Sequence, residues 1–408
     1  MLDPRARLTR RRFLVVAGSG VVAAILAACG IGRPSGSPVP SPKPAPTSTP
    51  RTTSPSPSPS HSPTPAPAPD LRAQIAQMLL VGFRGTTAEE AASTIADIRD
   101  LGLGGVLLFD FDTPTGSTLR NVVSPEQLTA LVAALREASR GPLIVAIDQE
   151  GGQVARLGPS HGFPPTQSEA ELGAIGDPSQ TEAAGRAIAQ TLSGVGIGLN
   201  LAPVVDLDIN PANPIIGAIG RSYGADPALV SVQAEAFVAG HRAIGVKTAI
   251  KHFPGQGSAS ADTHAGVVDV TDVWTDVELA PFGTLVADGI TDAVLTAHVF
   301  NANLDPEHPA TLSKATVTGI LREQLGWDGV VISDDMQMGA IRDAYGYEEA
   351  VRLAIDAGID ILTIANQQIY EEGIVARTID LIEGFVRDGA ISAERIAKSA
   401  ARIAAFKG

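Results

Sequence analysis

The two segments of the sequence best suited to acid–base chemistry lie close together. Residues 251–257 read Lys-His-Phe-Pro-Gly-Gln-Gly, and they end a mostly apolar run, residues 245–250, with two basic side chains before the backbone turns. Residues 262–264, Asp-Thr-His, place a carboxylate two positions before an imidazole on a predicted mobile loop. Such side chains can hold a polar ligand and move a proton, which a purely structural loop rarely requires.

The spacing of Asp262 and His264 favours a hydrogen-bonded pair. Residues two apart share a face on a strand, and on a loop they can bend toward each other. Asp262 can then accept a hydrogen bond from the imidazole and fix which ring nitrogen carries the proton. A histidine held in this way can act as general acid and general base near neutral pH. The alternative is a solvated histidine on a surface loop.

Asp334 is the candidate nucleophile. It follows Ser333 and the apolar residues 330–332. A carboxylate at the end of a buried strand is held rigidly and is partly desolvated, which suits nucleophilic attack. The adjacent Asp335 is expected to point to the opposite side. In the alternative interpretation, one of the two carboxylates caps the next helix.

Other charged side chains can bind hydroxyl groups. Asp148 begins an Asp-Gln-Glu-Gly-Gly segment after the third apolar run, and its carboxylate can accept hydrogen bonds from two neighbouring hydroxyls. The two glycines allow a sharp turn that brings Arg156 back toward the same place. Arg221 lies in a Gly-Arg-Ser-Tyr segment and offers a second guanidinium. Glu150 is compatible with a structural role and with a functional one.

No metal or cofactor site is predicted. The available metal ligands are His252, Asp262, His264 and His298, but no pair has the His-Glu-x-x-His spacing of a helical zinc site. The predicted folded part also has no cysteine. No phosphate-binding loop and no G-x-G-x-x-G segment follows a predicted strand, so nucleotide binding is not supported.

Eight short apolar runs, alternating with amphipathic segments, must position these side chains. Short apolar runs bounded by glycine are typical of parallel strands buried on both faces. Eight strand-then-helix units predict an α/β fold, a single (β/α)8 TIM barrel over residues 70–408. A doubly wound open sheet is the alternative. The predicted strands are 78–83, 105–109, 143–147, 197–201, 246–250, 293–296, 330–332 and 361–364, and the predicted helices include 125–139, 180–195, 225–243, 347–357, 368–387 and 392–406.

The barrel is preferred to the open sheet because polar side chains follow most of the strands. In a barrel, the carboxyl ends of all strands meet at one mouth, whereas in an open sheet they spread along an edge. The residues expected at this mouth are Asp110, Asp148, Asp206, Lys251, His298 and Asp334.

The N-terminal residues predict export and lipid anchoring. A twin-arginine type segment at residues 9–14 leads into an apolar stretch, residues 13–28, that is shorter than the roughly 20 residues of a spanning helix. Leu-Ala-Ala then precedes Cys29, the only cysteine, in the pattern of a bacterial lipoprotein cleavage site. We predict a signal peptide over residues 1–29 with Cys29 lipidated. An ordinary signal peptide or an uncleaved anchor is the alternative.

Residues 30–69 are predicted to be a tether. They are nearly all Pro, Ser, Thr, Ala and Gly, a composition that cannot bury a core and favours an extended, disordered spacer. A lipid anchor followed by such a spacer would hold the barrel off the outer face of the cell membrane. A disordered leader without this function is the alternative.

The charge distribution limits the partners. Residues 70–408 contain 22 basic and 43 acidic residues, a formal net charge of −21. This charge argues against nucleic acid or an anionic membrane surface as a partner. It is compatible with a soluble enzyme acting on a neutral or weakly charged substrate. We expect a monomer that contacts the membrane only through the lipid anchor.

In combination, the motifs resemble the β-N-acetylglucosaminidases of glycoside hydrolase family 3. Four segments occur in the family's order: Asp-Gln-Glu-Gly-Gly, Lys-His-Phe-Pro-Gly-x-Gly, Asp-Thr-His and Ser-Asp-Asp-Met. The resemblance covers Ile75 to about Ala365. It implies a single-domain (β/α)8 enzyme that needs no cofactor and removes terminal GlcNAc from a saccharide or muropeptide of the cell wall.

The resemblance also implies a role for each matched position. Asp334 matches the nucleophile, and His264 with Asp262 matches an acid/base dyad that replaces the glutamate of relatives with a second domain. The residues that match sugar-binding positions are Asp148, Arg156, Arg221, Lys251 and His252. The sequence departs from the common pattern at Gln153, Gln256 and Tyr223.

Three functions remain in competition at this point. The first is a retaining N-acetylglucosaminidase that works through a covalent glycosyl-enzyme. The second is a β-glucosidase, or a phosphorylase in which phosphate replaces water, on the same barrel. The third belongs to another class, a sugar-binding surface lipoprotein without catalysis.

Overall fold

The eight predicted strands all form, and they make one parallel sheet. The computed structural model describes residues 70–408. The strands are short and almost entirely buried, as expected for parallel strands covered on both faces. In chain order they are β1 (Leu79–Gly82), β2 (Gly105–Leu108), β3 (Ile144–Ile147), β4 (Leu199–Asn200), β5 (Lys247–Phe253), β6 (Ala293–Thr296), β7 (Val330–Ile332) and β8 (Leu362–Ile364).

Strand order and closure establish a barrel. Neighbouring strands follow the order β7-β6-β5-β4-β3-β2-β1-β8, and every paired strand is parallel to its neighbour. A parallel bridge between Ile332 and Ile361 joins β7 to the start of β8. The Val331 carbonyl accepts a hydrogen bond from the Ile361 N–H at 3.0 Å across this seam. The prediction of a (β/α)8 barrel is therefore confirmed, and the doubly wound alternative is wrong.

Helices surround the sheet, and five of the six predicted ones agree with the observed bounds to within two residues. The helix predicted over residues 368–387 begins only at Ile374, because the residues after β8 form a loop at the barrel mouth. The α-helices are Leu71–Gln77, Ala92–Ala96, Pro125–Ala138, Glu169–Ile175, Pro178–Gly194, Pro227–Arg242, Ala280–Ala287, Gly339–Tyr345, Tyr347–Ala357, Ile374–Arg387 and Ala393–Lys407, with π-helical turns at Asp97–Leu101 and Ala315–Gln324.

Local sequence sets several helix starts. Asp226 accepts a hydrogen bond from the Ala228 N–H at 3.0 Å, and Pro227 occupies the first helical position, where no N–H is required. The same Asp-Pro arrangement opens the helix Pro178–Gly194. These caps explain why the start of each helix lies close to its predicted position.

A buried ion cluster holds the seam between β7 and β8 at the amino end of the barrel. Asp360, which is fully buried, accepts hydrogen bonds from the Arg322 guanidinium at 2.7 Å and from the Ser399 hydroxyl at 2.7 Å. Arg395 and Arg402 approach the same carboxylate at 3.5 Å and 3.4 Å. The cluster ties the last helix to the strand that closes the barrel.

The N-terminal predictions lie outside the described residues. These are the signal peptide over residues 1–29, the lipidation site Cys29 and the tether over residues 30–69. Within residues 70–408, no helix combines the length and apolar character needed to cross a membrane.

Candidate active site

All eight predicted site residues line one cavity at the carboxyl ends of the strands. The cavity has a volume of about 340 Å³ and is bordered by apolar side chains such as Phe109 and Leu201 as well as by polar ones. The eight residues are Asp148, Arg156, Arg221, Lys251, His252, Asp262, His264 and Asp334. The structure therefore brings Asp334 to the same cavity as the Asp262–His264 pair, although His264 and Asp334 are 70 positions apart in the chain.

Strand β5 presents two consecutive basic side chains to the cavity. The sequence suggested that the strand stops before Lys251, but it continues through Phe253. Its register with β6 shifts between Ile250 and Phe253. Consecutive side chains of a regular strand face opposite sides, and an irregularity of this kind re-aims one of them. Lys251 and His252 can therefore both border the cavity.

A hairpin after β3 brings Arg156 to the rim. Gln149–Gly151 pairs antiparallel with Val154–Ala155, and the connecting Gly152 has a positive φ of 57°. The Arg156 guanidinium lies 3.6 Å from Asp110, a residue of the preceding loop. The predicted return of Arg156 to the mouth is confirmed.

Below the cavity lies a network of buried charges. Lys251 Nζ lies 2.7 Å from the Asp148 carboxylate and 2.6 Å from that of Glu150. Arg221 donates two hydrogen bonds to Glu150, at 2.7 Å and 2.8 Å. Glu150, which the sequence left between a structural and a functional role, is the shared anion of both cations and is 1% exposed.

The charges in this network stabilise one another. Burial opposes ionisation of Glu150, but Arg221 and Lys251 outweigh that effect and lower the pKa of Glu150 below its ordinary range. Burial would likewise lower the pKa of Lys251, and the nearby Asp148 and Glu150 raise it instead. The floor of the cavity therefore keeps fixed charges over a wide pH range.

His252 is oriented from behind by Asp206. Its Nδ1 lies 2.6 Å from the Asp206 carboxylate, which is completely buried, and its Nε2 lies 3.3 Å from Arg221. The same carboxylate accepts a hydrogen bond from the Gln256 N–H at 2.9 Å. A carboxylate at Nδ1 favours the proton on that nitrogen and leaves Nε2 free to accept a hydrogen bond from Arg221.

The loop pair forms as the sequence predicted. His264 Nδ1 lies 2.7 Å from Asp262 Oδ1, and the backbone N–H of His264 donates to the same oxygen at 2.8 Å. Both side chains stay accessible, with 57% of His264 and 41% of Asp262 exposed. The intervening Thr263 is buried. The hydrogen-bonded pair is thus anchored through its backbone while its functional groups face open space.

Asp334 is the carboxylate at the carboxyl end of β7. Burial would raise the pKa of Asp334, but neighbouring imidazoles and a hydrogen bond from the Asp335 N–H lower it below its ordinary value. These imidazoles belong to His298, His252 and His264. The group is therefore ionised at neutral pH, as a nucleophile must be.

Asp335 was expected either to point away from Asp334 or to cap the next helix, and it does neither. It borders the same cavity, and its Oδ1 accepts hydrogen bonds from the N–H groups of Gln337 at 3.1 Å and Ala365 at 2.9 Å. Burial, with a smaller effect of Asp334, raises the pKa of Asp335 to about 6. Neither aspartate caps the following helix, Gly339–Tyr345, which begins without a side-chain cap. The helix-cap interpretation is wrong.

Not all strand-end polar residues reach the cavity. Of the six expected at the mouth, Asp148, Lys251 and Asp334 line it. Asp206 and His298 are buried behind its wall, where His298 Nε2 lies 2.9 Å from the Asp335 carbonyl oxygen. The predicted convergence at the mouth therefore holds for three of the six side chains. Asp206 and His298 support the wall of the cavity, and Asp110 lies beside Arg156 without lining the cavity.

Sequence reasoning missed several residues around the cavity. Glu278 is buried, and its carboxylate accepts hydrogen bonds from the N–H groups of Gly257 at 2.8 Å and Ser258 at 3.4 Å. Gln367 and Gln368, after β8, also line the cavity. The only sequence signal for the two glutamines is their position after a predicted strand. Within residues 70–408, no group of three or more His, Cys, Asp or Glu side chains is arranged to hold a metal ion.

Fold and cavity together define a barrel enzyme of the glycoside hydrolase class, with a carboxylate and an imidazole–carboxylate pair at one pocket. The chain belongs to glycosyl hydrolase family 3, because the model of that family's N-terminal domain matches residues 70–406.

Individual relatives are consistent with this membership. The chain is 37% identical over 306 residues to the β-hexosaminidase of Xylella fastidiosa, covering 73% of this chain and 86% of that protein. A family 3 β-N-acetylglucosaminidase structure from Paenibacillus superposes with a TM-score of 0.76 at 35% identity, over 83% of this chain and 62% of that one. A β-N-acetylhexosaminidase structure from Beutenbergia cavernae has a TM-score of 0.74 at 32% identity, over 83% of this chain and 98% of that one.

Proposed function

We propose that this chain is a retaining β-N-acetylhexosaminidase that removes terminal GlcNAc from cell-wall peptidoglycan fragments. The observation that carries the proposal is the position of Asp334 and the Asp262–His264 pair around one cavity. The names of the relatives supply the sugar specificity, since those proteins are described as β-hexosaminidases and β-N-acetylglucosaminidases.

The size and charge of the cavity suit a terminal sugar. Its volume of about 340 Å³ is at the small end of ligand pockets, which fits a single ring better than a long chain. The fixed charges of Asp148, Lys251 and Arg221 offer acceptors and donors for several hydroxyl groups. These contacts favour an enzyme that works from the chain end.

In the first chemical step, Asp334 attacks the anomeric carbon of the bound sugar. The bond from this carbon to the leaving oxygen breaks as the carboxylate oxygen forms a new bond to the carbon, and His264 gives its proton to the leaving oxygen. Asp262 stabilises the imidazolium before transfer and fixes its orientation, through the 2.7 Å contact with Nδ1.

In the second step, the neutral His264 takes a proton from water. The resulting hydroxide oxygen attacks the anomeric carbon and displaces the Asp334 carboxylate, which returns to its ionised form. Two displacements at the same carbon retain its configuration. The lowered pKa of Asp334 makes it a good leaving group in this step.

Trapping the intermediate tests this assignment. The purified protein would be incubated with a fluorinated GlcNAc analogue that carries a good leaving group, digested, and analysed by mass spectrometry. We expect the added sugar on Asp334. A label on another side chain would contradict the role of Asp334, and the absence of any label would favour a substrate-assisted route.

Competing substrates and acceptors can be separated in one assay. Release from aryl GlcNAc and aryl glucose is compared, with and without phosphate, and the sugar products are identified. Preference for GlcNAc with free sugar as product supports the hydrolase. Faster release from glucose indicates a β-glucosidase, and a sugar phosphate as product indicates a phosphorylase. Binding of GlcNAc without any turnover indicates a non-catalytic binding protein.

We also propose that the mature protein is anchored to the outer face of the cell membrane through Cys29. Residues 30–69 serve as the spacer, and the barrel is a monomer. Labelling of bacteria that produce the full chain with a fatty-acid analogue should mark the wild-type protein and leave the Cys29→Ser variant unmarked. Equal labelling of the two would contradict lipidation at Cys29, and sedimentation of residues 70–408 would check the monomer.

A further inference from the structure

The loop that carries the Asp262–His264 pair is held by its backbone carbonyls. The Thr263 carbonyl accepts a hydrogen bond from the Ala340 N–H, and the His264 carbonyl accepts one from the Gly339 N–H, each at 3.3 Å. Both donors belong to the first turn of the helix Gly339–Tyr345, whose N–H groups have no side-chain cap. The loop therefore lies against the helix that follows Asp334.

Close approach at this junction requires glycine. A Cβ atom added to Gly339 would lie 2.8 Å from the His264 carbonyl oxygen and 3.0 Å from the Ala265 carbonyl carbon. Atoms at such distances overlap, so a larger residue would push the loop away from the helix. The position of His264 therefore depends on the absence of a side chain at Gly339.

One side chain adds a third hydrogen bond to the loop. Gln368 Nε2 donates to the His264 carbonyl oxygen at 3.3 Å. Within residues 70–408, no other side chain from outside the loop hydrogen-bonds to residues 262–265. Gln368 also lines the cavity, so it lies on the same wall as the pair it holds.

The backbone around Gln368 is itself fixed. The neighbouring Gln367 donates to the Phe111 carbonyl at 2.7 Å and accepts a hydrogen bond from Arg120, which is among the largest fully buried side chains. Arg120 also donates to the Ala365 carbonyl at 3.0 Å. The loop after β8 is therefore fixed by several hydrogen bonds, and Gln368 reaches the His264 backbone from it.

We propose that Gln368 is a positioning residue: its amide holds the backbone of His264 so that the imidazole meets the leaving oxygen in the geometry required for proton transfer. The inference rests on the proposed function. It assigns to Gln368 no contact with the reacting atoms and no proton of its own. All three contacts that hold the loop are single, long hydrogen bonds, so the loss of one changes the position of the pair.

The test uses aryl GlcNAc substrates of similar size whose leaving groups differ in their need for a proton. Dinitrophenolate departs without protonation, whereas phenolate requires a general acid, and kcat/KM reports the first step alone. For Gln368→Ala and Gln368→Glu we expect kcat/KM on the phenyl substrate to fall about fivefold, with less than about a twofold change on the dinitrophenyl substrate. Gln368→Glu keeps the size of the side chain and removes the donor.

A second pair of variants tests the close contact between Gly339 and the His264 carbonyl. Gly339→Ala should give the same selective loss on the phenyl substrate, because the added methyl group displaces the His264 carbonyl. Gly319→Ala is the matched control, since a Cβ there would meet no atom closer than 4.0 Å. Hydrogen exchange of residues 259–267 should be faster in Gln368→Ala and in Gly339→Ala than in the wild type, and unchanged in Gly319→Ala.

The outcomes separate this inference from the proposed function. His264→Ala should lose activity on the phenyl substrate far more than on the dinitrophenyl one, and a failure there would overturn the general-acid role itself. Another outcome is that His264→Ala behaves as expected while the Gln368 variants lower kcat/KM equally on both substrates or on neither. In that case Gln368 does not position the pair. Unchanged exchange of residues 259–267 in Gln368→Ala would overturn the inference as well.

Discussion

Arg221 and Glu150 form a two-pronged ion pair beneath the cavity, with Nε–Oε2 at 2.7 Å and Nη2–Oε1 at 2.8 Å. The two residues are 71 positions apart in the chain. Because Lys251 lies 2.6 Å from the same carboxylate, one buried anion serves two buried cations. The charge balance at the floor of the site therefore depends on Glu150, whose carboxylate contacts buried protein groups and not solvent.

Replacing Glu150 with glutamine should weaken both the fold and substrate binding. The amide keeps the shape of the side chain but leaves Arg221 and Lys251 with less opposing charge in a buried place, which costs about 3 kcal/mol in the free energy of unfolding. KM should rise because both cations move. Urea denaturation and steady-state kinetics provide the measurements.

The exposed ion pair of Glu182 and Arg186 provides the control for Glu150. Its two side chains are each 42% exposed, so Glu182→Gln should change the free energy of unfolding by less than about 0.5 kcal/mol. Equal effects of the two substitutions would contradict the importance of the buried anion.

Asp262→Asn should lower kcat about 100-fold, because an amide no longer stabilises the imidazolium of His264 and can present its NH2 group to Nδ1. Measurement of kcat on the phenyl GlcNAc substrate checks this. The matched control is Asp305→Asn at a second Asp–His pair, in which His308 lies 3.7 Å from Asp305 and neither residue lines the cavity. Comparable losses in the two variants would argue against a specific role of Asp262.

Glu278 should make stability fall as the pH rises. Burial, with help from Asp206, raises the pKa of Glu278 from an ordinary 4.5 to about 7. Between these values the unfolded chain has released the proton and the native protein still holds it, so each rise in pH favours unfolding. This contribution to stability is fully present below pH 4.5 and is lost by the time the pH has passed 7.

The variant Glu278→Gln isolates this effect, because it has no proton to release. Relative to the wild type, its free energy of unfolding should increase by about 3 kcal/mol between pH 4.5 and pH 8. Denaturation curves of both proteins across this range provide the test. A difference that stays constant with pH would show that Glu278 does not titrate with a raised pKa.

Asp360→Asn should destabilise the barrel without changing the chemistry. Removing the charge leaves Arg322, Arg395 and Arg402 with no shared anion at the closing seam, at a cost of about 3 kcal/mol. The cluster is at the amino end of β8, away from the cavity, so kcat at low temperature should be unchanged. A thermal melt and a kinetic assay measure the two effects, and a large fall in kcat with unaltered stability would contradict this separation.

Most of the architecture is encoded in local patterns. Apolar runs such as residues 330–332 and 361–364 fix the strands because both faces of a parallel sheet must be covered. Caps such as Asp226 with Pro227 fix the helix starts. The extent of β5 could not be predicted in this way, since the bulge that carries Lys251 and His252 depends on pairing with β6 and not on the strand's own composition.

Some residues of the candidate site could likewise be predicted from the sequence, and others could not. The order of the motifs and the resemblance to family 3 indicated Asp334, Asp262 and His264, and the spacing of the last two already predicted their hydrogen bond. Gln368 and Glu278 had no comparable signal. Each contacts a segment distant along the chain, 21 positions away for Glu278 and 104 for Gln368. A lone polar residue after a strand or within a helix has no sequence pattern that reveals such a partner.

The barrel and the order of its strands follow from local features of the sequence, because hydrophobic periodicity, helix caps and short-range spacing act within a few residues. The same local spacing indicated the Asp262–His264 hydrogen bond. Which strand-end groups line the cavity and which support its wall depends instead on contacts between residues far apart in the chain. Lys251 meets Asp148 across 103 positions, and such a contact exists only after the barrel closes. Burial then decides the charge of each group, because the cost of removing an ion from water depends on every neighbour that the closed fold provides.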